Sequence, residues 1–352
     1  MIAYFAIGAL TCFLAYLTTY MKSGKTQVVF AMLSGIPCSL LAAFRYDIGP
    51  DYGLYERIFD SIRATGTFYS VKSLEPGYAF INHAVLFFGG NYQAVLFIVA
   101  WVISTMFFLG ALRLSKNYVL SIAFFFAMGF YCDSLNGLRQ YIAAAITFFA
   151  LSYVARGERW KAVLLCLVAW LFHQSALIML PVCLIANKVR LTSWKAILLT
   201  VLIVIFGNYL YDLLTNLLAY TRYGYYLGSV EYTVEPTLGT TVLTSALTIS
   251  ALAVGAYSKD IASSDEHSVM TNMNVLALLT AILSFFVPLA LRVQYYFVPF
   301  EIVFFPYILT FIKNHNARFL LASLLFLMFL GMTVVGMVFN GWYGAYPYRM
   351  AR

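Results

Sequence analysis

Arginine, histidine and aspartate cluster where the apolar runs of this 352-residue chain end, and they are the groups through which it could do chemistry. Arg45 closes one apolar run, Arg139 opens another and Arg292 ends a third. A guanidinium presents a planar fork of donors, keeps its charge when partly desolvated and matches phosphate or carboxylate bidentately. Three of them at one depth would form an anion site; singly, each would read as an anchor reaching for lipid headgroups. His173 has an ordinary pKa of roughly 6.5, which suits proton abstraction at neutral pH, and a bond to a neighbouring helix is its structural alternative. Asp47 and Asp51 flank Gly49-Pro50, a turn that would bring both carboxylates to Arg45, for an ion pair on one reading and general-base work on the other. Glu75, just before Pro76-Gly77, suits the N-terminal end of a short helix. Glu301 lies within an apolar run, where an ionisable group is costly, and it would partner an outer arginine.

Other chemistries find little support. No two histidines share a helical turn, so no metal site is expected. Ser23-Gly24-Lys25-Thr26 ends like a phosphate loop, yet Thr19 stands where its first glycine belongs. The five cysteines are scattered without a CxxC pair and read as small buried hydrophobes. No cofactor follows from any of these patterns.

The elements that position these groups are membrane helices. The chain is 62% hydrophobic and 10% charged, with a mean hydropathy of +0.84, more apolar surface than a soluble core could bury. Apolar runs near 2–20, 28–44, 93–112, 118–132, 141–155, 161–172, 175–187, 196–213, 239–257, 270–290, 295–312 and 319–339 predict about 12 helices. The formal charge of +8 lies in short connectors and reads as a topology signal; no nucleic-acid partner is expected. Connectors bearing Lys22/Lys25, Arg113/Lys116, Arg156/Arg159/Lys161, Lys188/Arg190/Lys195, Lys259 and Lys313/Arg318 alternate with the others and are assigned to the cytoplasm. Both termini and segments 45–92, 133–140, 214–238 and 291–294 then face outward. Run 77–88 spans only about 18 Å as a helix, against about 30 Å of hydrocarbon. It reads as an outward-facing re-entrant or interfacial helix turned by Gly89-Gly90-Asn91. Runs 161–172 and 175–187 are also short, so they form a hairpin whose tip, His173-Gln174, lies below the surface, against a cavity or packed protein.

The fold expected is therefore an all-α polytopic integral membrane protein with one transmembrane domain over 1–352. Its outer loop 45–92 carries the short re-entrant helix, and 214–238 is an outer Tyr-rich loop. In this topology eight arginines and one lysine lie outside. Topology rules treat the two residue types alike, so the skew points to anion recognition. Arg222, Arg349 and Arg352 suit headgroup anchors equally well, while Arg57 and Arg63 alternate with Glu56 and Asp60 as on a solvated helix face.

The run Arg45-Tyr46-Asp47-Ile48-Gly49-Pro50-Asp51-Tyr52, followed by Tyr55 and Phe59, resembles the R-x-x-x-G-x-D-Y-x-x-Y-x-x-x-F signature of the EpsG family. That family contains exopolysaccharide polymerases similar to the Wzy enzymes of O-antigen and capsule synthesis. Glu75-Pro76-Gly77-Tyr78, Leu138-Arg139-Gln140 and Phe172-His173-Gln174-Ser175-Ala176 resemble its next three blocks in order, across roughly 40–185. Family motif positions fall on Arg45, Gly49, Asp51, Tyr52, Glu75, Arg139, Gln140 and His173; the later half offers only general similarity.

The resemblance implies a multi-helix fold of the integral-membrane glycosyltransferase kind (GT-C-like) in the bacterial cytoplasmic membrane, with its active site outward. It implies a polymerase or ligase acting on undecaprenyl-pyrophosphate-linked glycan as donor and acceptor. The expected mechanism has Arg45, Arg139 and Arg292 holding the leaving pyrophosphate without a metal, and His173 or Asp51 taking the acceptor proton. Tyr52, Glu75 and Gln140 would contact the rest of the substrate. Besides the bilayer, a chain-length regulator and a flippase are the partners such an enzyme would have. A lipid-linked oligosaccharide flippase is the rival from another class, but it should carry polar groups along a whole crossing path, and charges within the runs are nearly confined to Glu301. A ligase to another acceptor shares the donor chemistry.

Overall fold

The computed structural model describes residues 1–66, 74–218, 238–257, 264–287 and 289–351. Positions 219–237 of the Tyr-rich loop with Arg222, as well as Lys259 and Arg352, lie outside the described residues. Among those described, the structure is helical apart from one isolated antiparallel bridge between Arg45 and Met350.

In chain order the helices begin with α1 (Ile2–Thr19), α2 (Gly24–Ser34), α3 (Ile36–Ala43), α4 (Tyr52–Thr65), α5 (Pro76–Phe87) and α6 (Tyr92–Leu114). There follow α7 (Tyr118–Ala127), α8 (Phe130–Asp133), α9 (Leu138–Val154), α10 (Arg159–Trp170), α11 (Met179–Ile185) and α12 (Ser193–Leu218). The last are α13 (Leu238–Tyr257), α14 (Asp265–Leu283), α15 (Ala290–Gln294), α16 (Glu301–Leu309) and α17 (His315–Phe339). Polar caps set several of the starts: Asn91, Asn117 and Asn314 accept from the backbone N–H three residues on, as does Ser264. All twelve apolar runs thus contain helix. Among the described residues, five stretches are long and apolar enough to cross a membrane: Ile2–Thr19, Gly24–Ala43, Tyr92–Leu114, Ser193–Leu217 and His315–Phe339.

Several runs are interrupted, and the interruptions have local causes. Run 118–132 breaks at Gly129, whose φ of +78° places it in the left-handed region. Run 295–312 divides into a 3₁₀ turn, Val298–Phe300, and α16, with Pro299 in the turn. The second arm of the 161–187 hairpin starts as a 3₁₀ segment, Gln174–Ile178, before α11. The short run near 77–88 is α5, ended at Gly89 with φ +72° and followed by the Asn91 cap of α6, as its turn residues suggested.

The described residues form two compact units. In the first (1–153, 159–183 and 302–352), α1 packs against α2, α3 and α7, α3 packs on α6, and α17 lies along α7. Its interior is aromatic: Phe107 and Phe108 meet Phe125, Phe107 also meets Phe148, and Phe124 meets Phe305 and Phe329. Offset and edge-on rings of this kind add about 1 kcal/mol per pair beyond their buried area. In the second unit (154–158 and 184–301), α14 packs on α12 and α13. There the Asn272 amide donates to the Ala186 and Val189 carbonyls, and its oxygen accepts from Leu191 N–H, which fixes the turn ahead of α12. Glu301 is buried, but neither carboxylate oxygen accepts a hydrogen bond, so it does not partner an outer arginine as expected from sequence.

Helix α6 approaches α9 closely at Gly110, where an added Cβ would lie 2.5 Å from the Phe148 ring and 3.3 Å from the Phe149 Cα. The nearest backbone cannot yield as a flexible side chain could. Gly110→Leu is expected to destabilise the protein by about 2 kcal/mol, within the range for overpacked interiors. A thermal challenge read by size-exclusion fluorescence checks this; an unchanged midpoint would mean the helices are not in close contact there.

Candidate functional site: an arginine–tyrosine platform

Residues 45–52 form a tight turn because their sequence allows it. Asp47 and Gly49 both have positive φ, +49° and +92°, and a Cβ at Gly49 would also press the Leu135 carbonyl at 3.1 Å. Tyr52 N–H donates to Gly49 O at 3.0 Å, closing the turn. Asp51 N–H donates to the Asn136 side-chain oxygen at 2.9 Å, which ties the turn to the segment leading into α9. On its other side the turn is held by the C-terminal segment. Tyr46 N–H donates to Arg349 O, Ala351 N–H donates to Phe44 O, and the Arg349 guanidinium bonds both the backbone oxygen and the carboxylate of Asp47. Tyr348 donates to Leu41 O and Tyr4 to Ala345 O, so the ends of the chain are joined at this place.

Arg45 sits within this turn with only 1% of its surface exposed. Its Nε and Nη1 donors are buried without a hydrogen-bond partner, and its guanidinium carbon stands 5.9 Å from the centre of the Tyr52 ring. The ring supplies a modest cation–π attraction of about 1–2 kcal/mol, less than the several kcal/mol that desolvating a cation costs. Burial draws the group below the ordinary arginine pKa, but a guanidinium stays protonated in proteins, so the charge remains. The ion pair of Arg45 with Asp47 that the sequence suggested does not form. Asp47 pairs with Arg349 at 3.0 Å instead, and this also replaces the headgroup-anchor reading of Arg349.

Helix α4 carries the platform. Tyr52, Tyr55, Ile58, Phe59 and Ile62 are buried on one face, the spacing of an amphipathic helix, while Asp60 and Arg63 pair on the exposed face. Tyr52 packs edge-on against Tyr92, and Tyr55 lies 5.3 Å from Tyr78 of the Glu75-Pro76-Gly77-Tyr78 block. Arg139, at the start of α9, stands over the Tyr55 ring at 5.8 Å. Tyr52 and Tyr55 are three residues apart and share a helix face, so the two arginines overlie neighbouring rings.

Glu75 occupies the N-cap position of α5, but its side chain makes no capping bond; it accepts from Arg139 Nη1 at 2.5 Å. This corrects the capping role expected of Glu75. Gly77 N–H donates to Leu171 O at 2.8 Å, and a Cβ on Gly77 would collide with that oxygen and the Phe172 ring, which explains the glycine and docks the block against the hairpin tip. His173 caps the 3₁₀ segment: its Nδ1 lies 2.6 Å from Ser175 Oγ and accepts from Ser175 N–H at 3.4 Å. Gln140 is buried beside Arg139 on α9.

Arg45, Asp51, Tyr52, Glu75, Arg139, Gln140 and His173 thus all belong to the first unit, joined by the α4 platform and the contacts of α5 with the hairpin tip. Arg292 lies in the second unit, on α15. Sequence reasoning missed Asn136, Asp133, Tyr141 and the C-terminal clamp. The turn pair Asn136-Gly137 just before Leu138-Arg139-Gln140 was a usable signal for the first. The clamp left none, because it depends on pairing some 300 residues apart.

Fold and site together define a helical protein with candidate membrane-spanning segments, in which Arg45 and Arg139 stand over neighbouring tyrosines of one platform. No curated protein and no solved structure matches the chain. It matches the EpsG family over residues 28–350 and belongs to that family, which implies a glycosyltransferase-like exopolysaccharide polymerase. The match reaches well beyond the 40–185 region in which individual motifs are legible.

Beside the platform, burial pushes the Asp133 carboxyl up to about 6 from 3.8, against the opposing effect of its 2.5 Å hydrogen bond from Tyr141. The folded protein therefore binds this proton more tightly than the unfolded chain. The group's stabilising contribution is full below about pH 4 and is lost as the pH rises through 6, on the order of 2–3 kcal/mol in all. Asp133→Asn keeps an acceptor for Tyr141 and cannot ionise. The melting temperature of wild type relative to Asp133→Asn should rise as the pH falls from 7 to 4.5; a constant difference would mean that Asp133 is not held against ionisation.

Proposed function

We propose that this protein is a polysaccharide polymerase that joins undecaprenyl-pyrophosphate-linked repeat units at the outer face of the bacterial cytoplasmic membrane. The observation that carries this reading is Arg45, a buried cation with two unpaired donors beside a second arginine on one aromatic platform. Such a group calls for an anionic ligand. The leaving pyrophosphate of a lipid-linked glycan is one whose charge grows during the reaction, and fixed donors stabilise developing charge well. The twelve-helix, GT-C-like arrangement and the outward orientation of Arg45 belong to this proposal and are supported by the basic connectors.

In the proposed reaction, a hydroxyl of the acceptor glycan attacks the anomeric carbon of the donor. The bond to the pyrophosphate oxygen breaks, and the hydroxyl proton passes to a base. Arg45 and Arg139 take the pyrophosphate, while Tyr52, Glu75 and Gln140 border the glycan. Asp51 and His173 are the two groups able to take the proton. The hold of Ser175 on Nδ1 favours Nε2–H of His173 as a donor to the leaving group and Asp51 as the base.

The base and donor roles of His173 separate in mutants. Gln can donate from its amide where His173 Nε2 did, but it cannot accept a proton as a base. His173→Gln is therefore expected to polymerise within about tenfold of wild type and His173→Ala at least about 10²-fold more slowly, measured as glycan ladders from purified lipid-linked repeat units. Equal losses of 10²–10⁴ in both variants would return the base role to His173. In cells lacking the protein, single repeat units should still reach the surface, unpolymerised; their retention inside the cell would favour a flippase.

A further inference from the structure

A second site lies in the first unit, at the end opposite the platform. Helices α7 and α17 pack together and run in the same direction. Thr333, 18 residues into α17, donates to the Ala127 carbonyl at the end of α7, and Gly129 just beyond meets Tyr343, close to the clamp. The start of α7 is thus roughly 14 Å, and that of α17 roughly 27 Å, of helix rise away from that end.

There the two helices and the end of α16 enclose a groove of about 660 Å³. Its mouth carries Lys116, His315 and Arg318, and no acid is among the described lining residues. Arg318 is pinned in place by two bonds from Nε and Nη2 to the Ile312 carbonyl, at 3.0 and 2.8 Å, so its charge meets a neutral group. The N-terminal ends of α7 and α17 lie at the same mouth with no acidic residue in either first turn, and they add their partial positive charge to the three side chains. Below the mouth the walls are apolar, with Leu120, Phe326 and the exposed Phe319, which opens the groove sideways.

We propose that this groove is a binding site for an anionic glycerophospholipid. The phosphodiester is held by Lys116, Arg318 and His315, and one acyl chain lies along Leu120, Phe319 and Phe326. A cationic mouth over an apolar, laterally open wall matches a charged headgroup with its chains, and matches neither a free ion nor a zwitterionic lipid as well. The site is remote from Arg45 and independent of the polymerase reading.

Native mass spectrometry of the full-length protein, exchanged into detergent with matched phosphatidylglycerol and phosphatidylcholine, tests this. Wild type should retain phosphatidylglycerol at least tenfold over phosphatidylcholine, and excess inorganic phosphate should not displace it. Lys116→Gln combined with Arg318→Gln should abolish the preference. Ala322→Trp, which fills the groove without removing a charge, should lose retained lipid while eluting as a folded, monodisperse protein. Equal retention of the two lipids by wild type would overturn the proposal, as would displacement by phosphate or full retention by Ala322→Trp.

Discussion

The site depends on a cation that the fold buries and does not neutralise. Asp47, the acid nearest Arg45 in sequence, is engaged by Arg349, and Glu75 of the neighbouring block by Arg139. Around the guanidinium stand neutral tyrosines, Tyr52, Tyr92, Tyr131 and Tyr4, with a turn closed by Gly49 and a backbone bridge from Met350. None of these cancels a full charge in a desolvated place. Such an arrangement persists only where its surroundings over-determine it, and here they do, since the turn is held by Asn136 on one side and by the C-terminal segment on the other. The two arginines therefore differ in kind. Arg139 is a paired, partly exposed group that aligns Glu75 with the platform; Arg45 is the cation whose stability a bound anion would raise.

Much of this was legible in the sequence, for physical reasons that can be named. Apolar runs in a low-charge chain can only be membrane or core helices, and all twelve runs contain helix. The amphipathic spacing of Tyr52, Tyr55, Ile58, Phe59 and Ile62 and the turn residues Gly49-Pro50 and Gly89-Gly90-Asn91 marked local structure that tertiary packing did not alter. Partners were less legible. A carboxylate close in sequence to Arg45 looked like its counter-ion, yet the C-terminal arginine displaced it, because side-chain pairing follows spatial position. Glu75 stood at a helix start and still turned to Arg139, since a buried carboxylate gains more from a guanidinium than from one backbone N–H. The cysteines, scattered in sequence, include one pair brought together: the Cys166 and Cys183 sulfurs lie 3.1 Å apart across the hairpin that carries His173.

On the proposed readings, the first unit carries two anion-binding places of different character. At one, fixed arginines over tyrosines are braced by backbone pairing, the rigid support that charge stabilisation in a reaction requires. At the other, lysine, arginine and histidine line the mouth of an apolar groove, a looser arrangement that suits a lipid which stays bound without reacting. Membership of the EpsG family is what ties the first, on the proposed reading, to the group that the glycan leaves behind.

The central claim, that Arg45 awaits a pyrophosphate, is tested most directly by the thermal shift that undecaprenyl pyrophosphate induces in wild type and in Arg45→Gln. An uncompensated buried cation predicts that unliganded Arg45→Gln melts at or above the wild-type temperature, and that ligand raises the midpoint of wild type while leaving the variant within a degree or so of its own. The account is contradicted if Arg45→Gln melts well below wild type and still shifts with the ligand as wild type does, for Arg45 would then be a structural residue that the fold, rather than the substrate, requires.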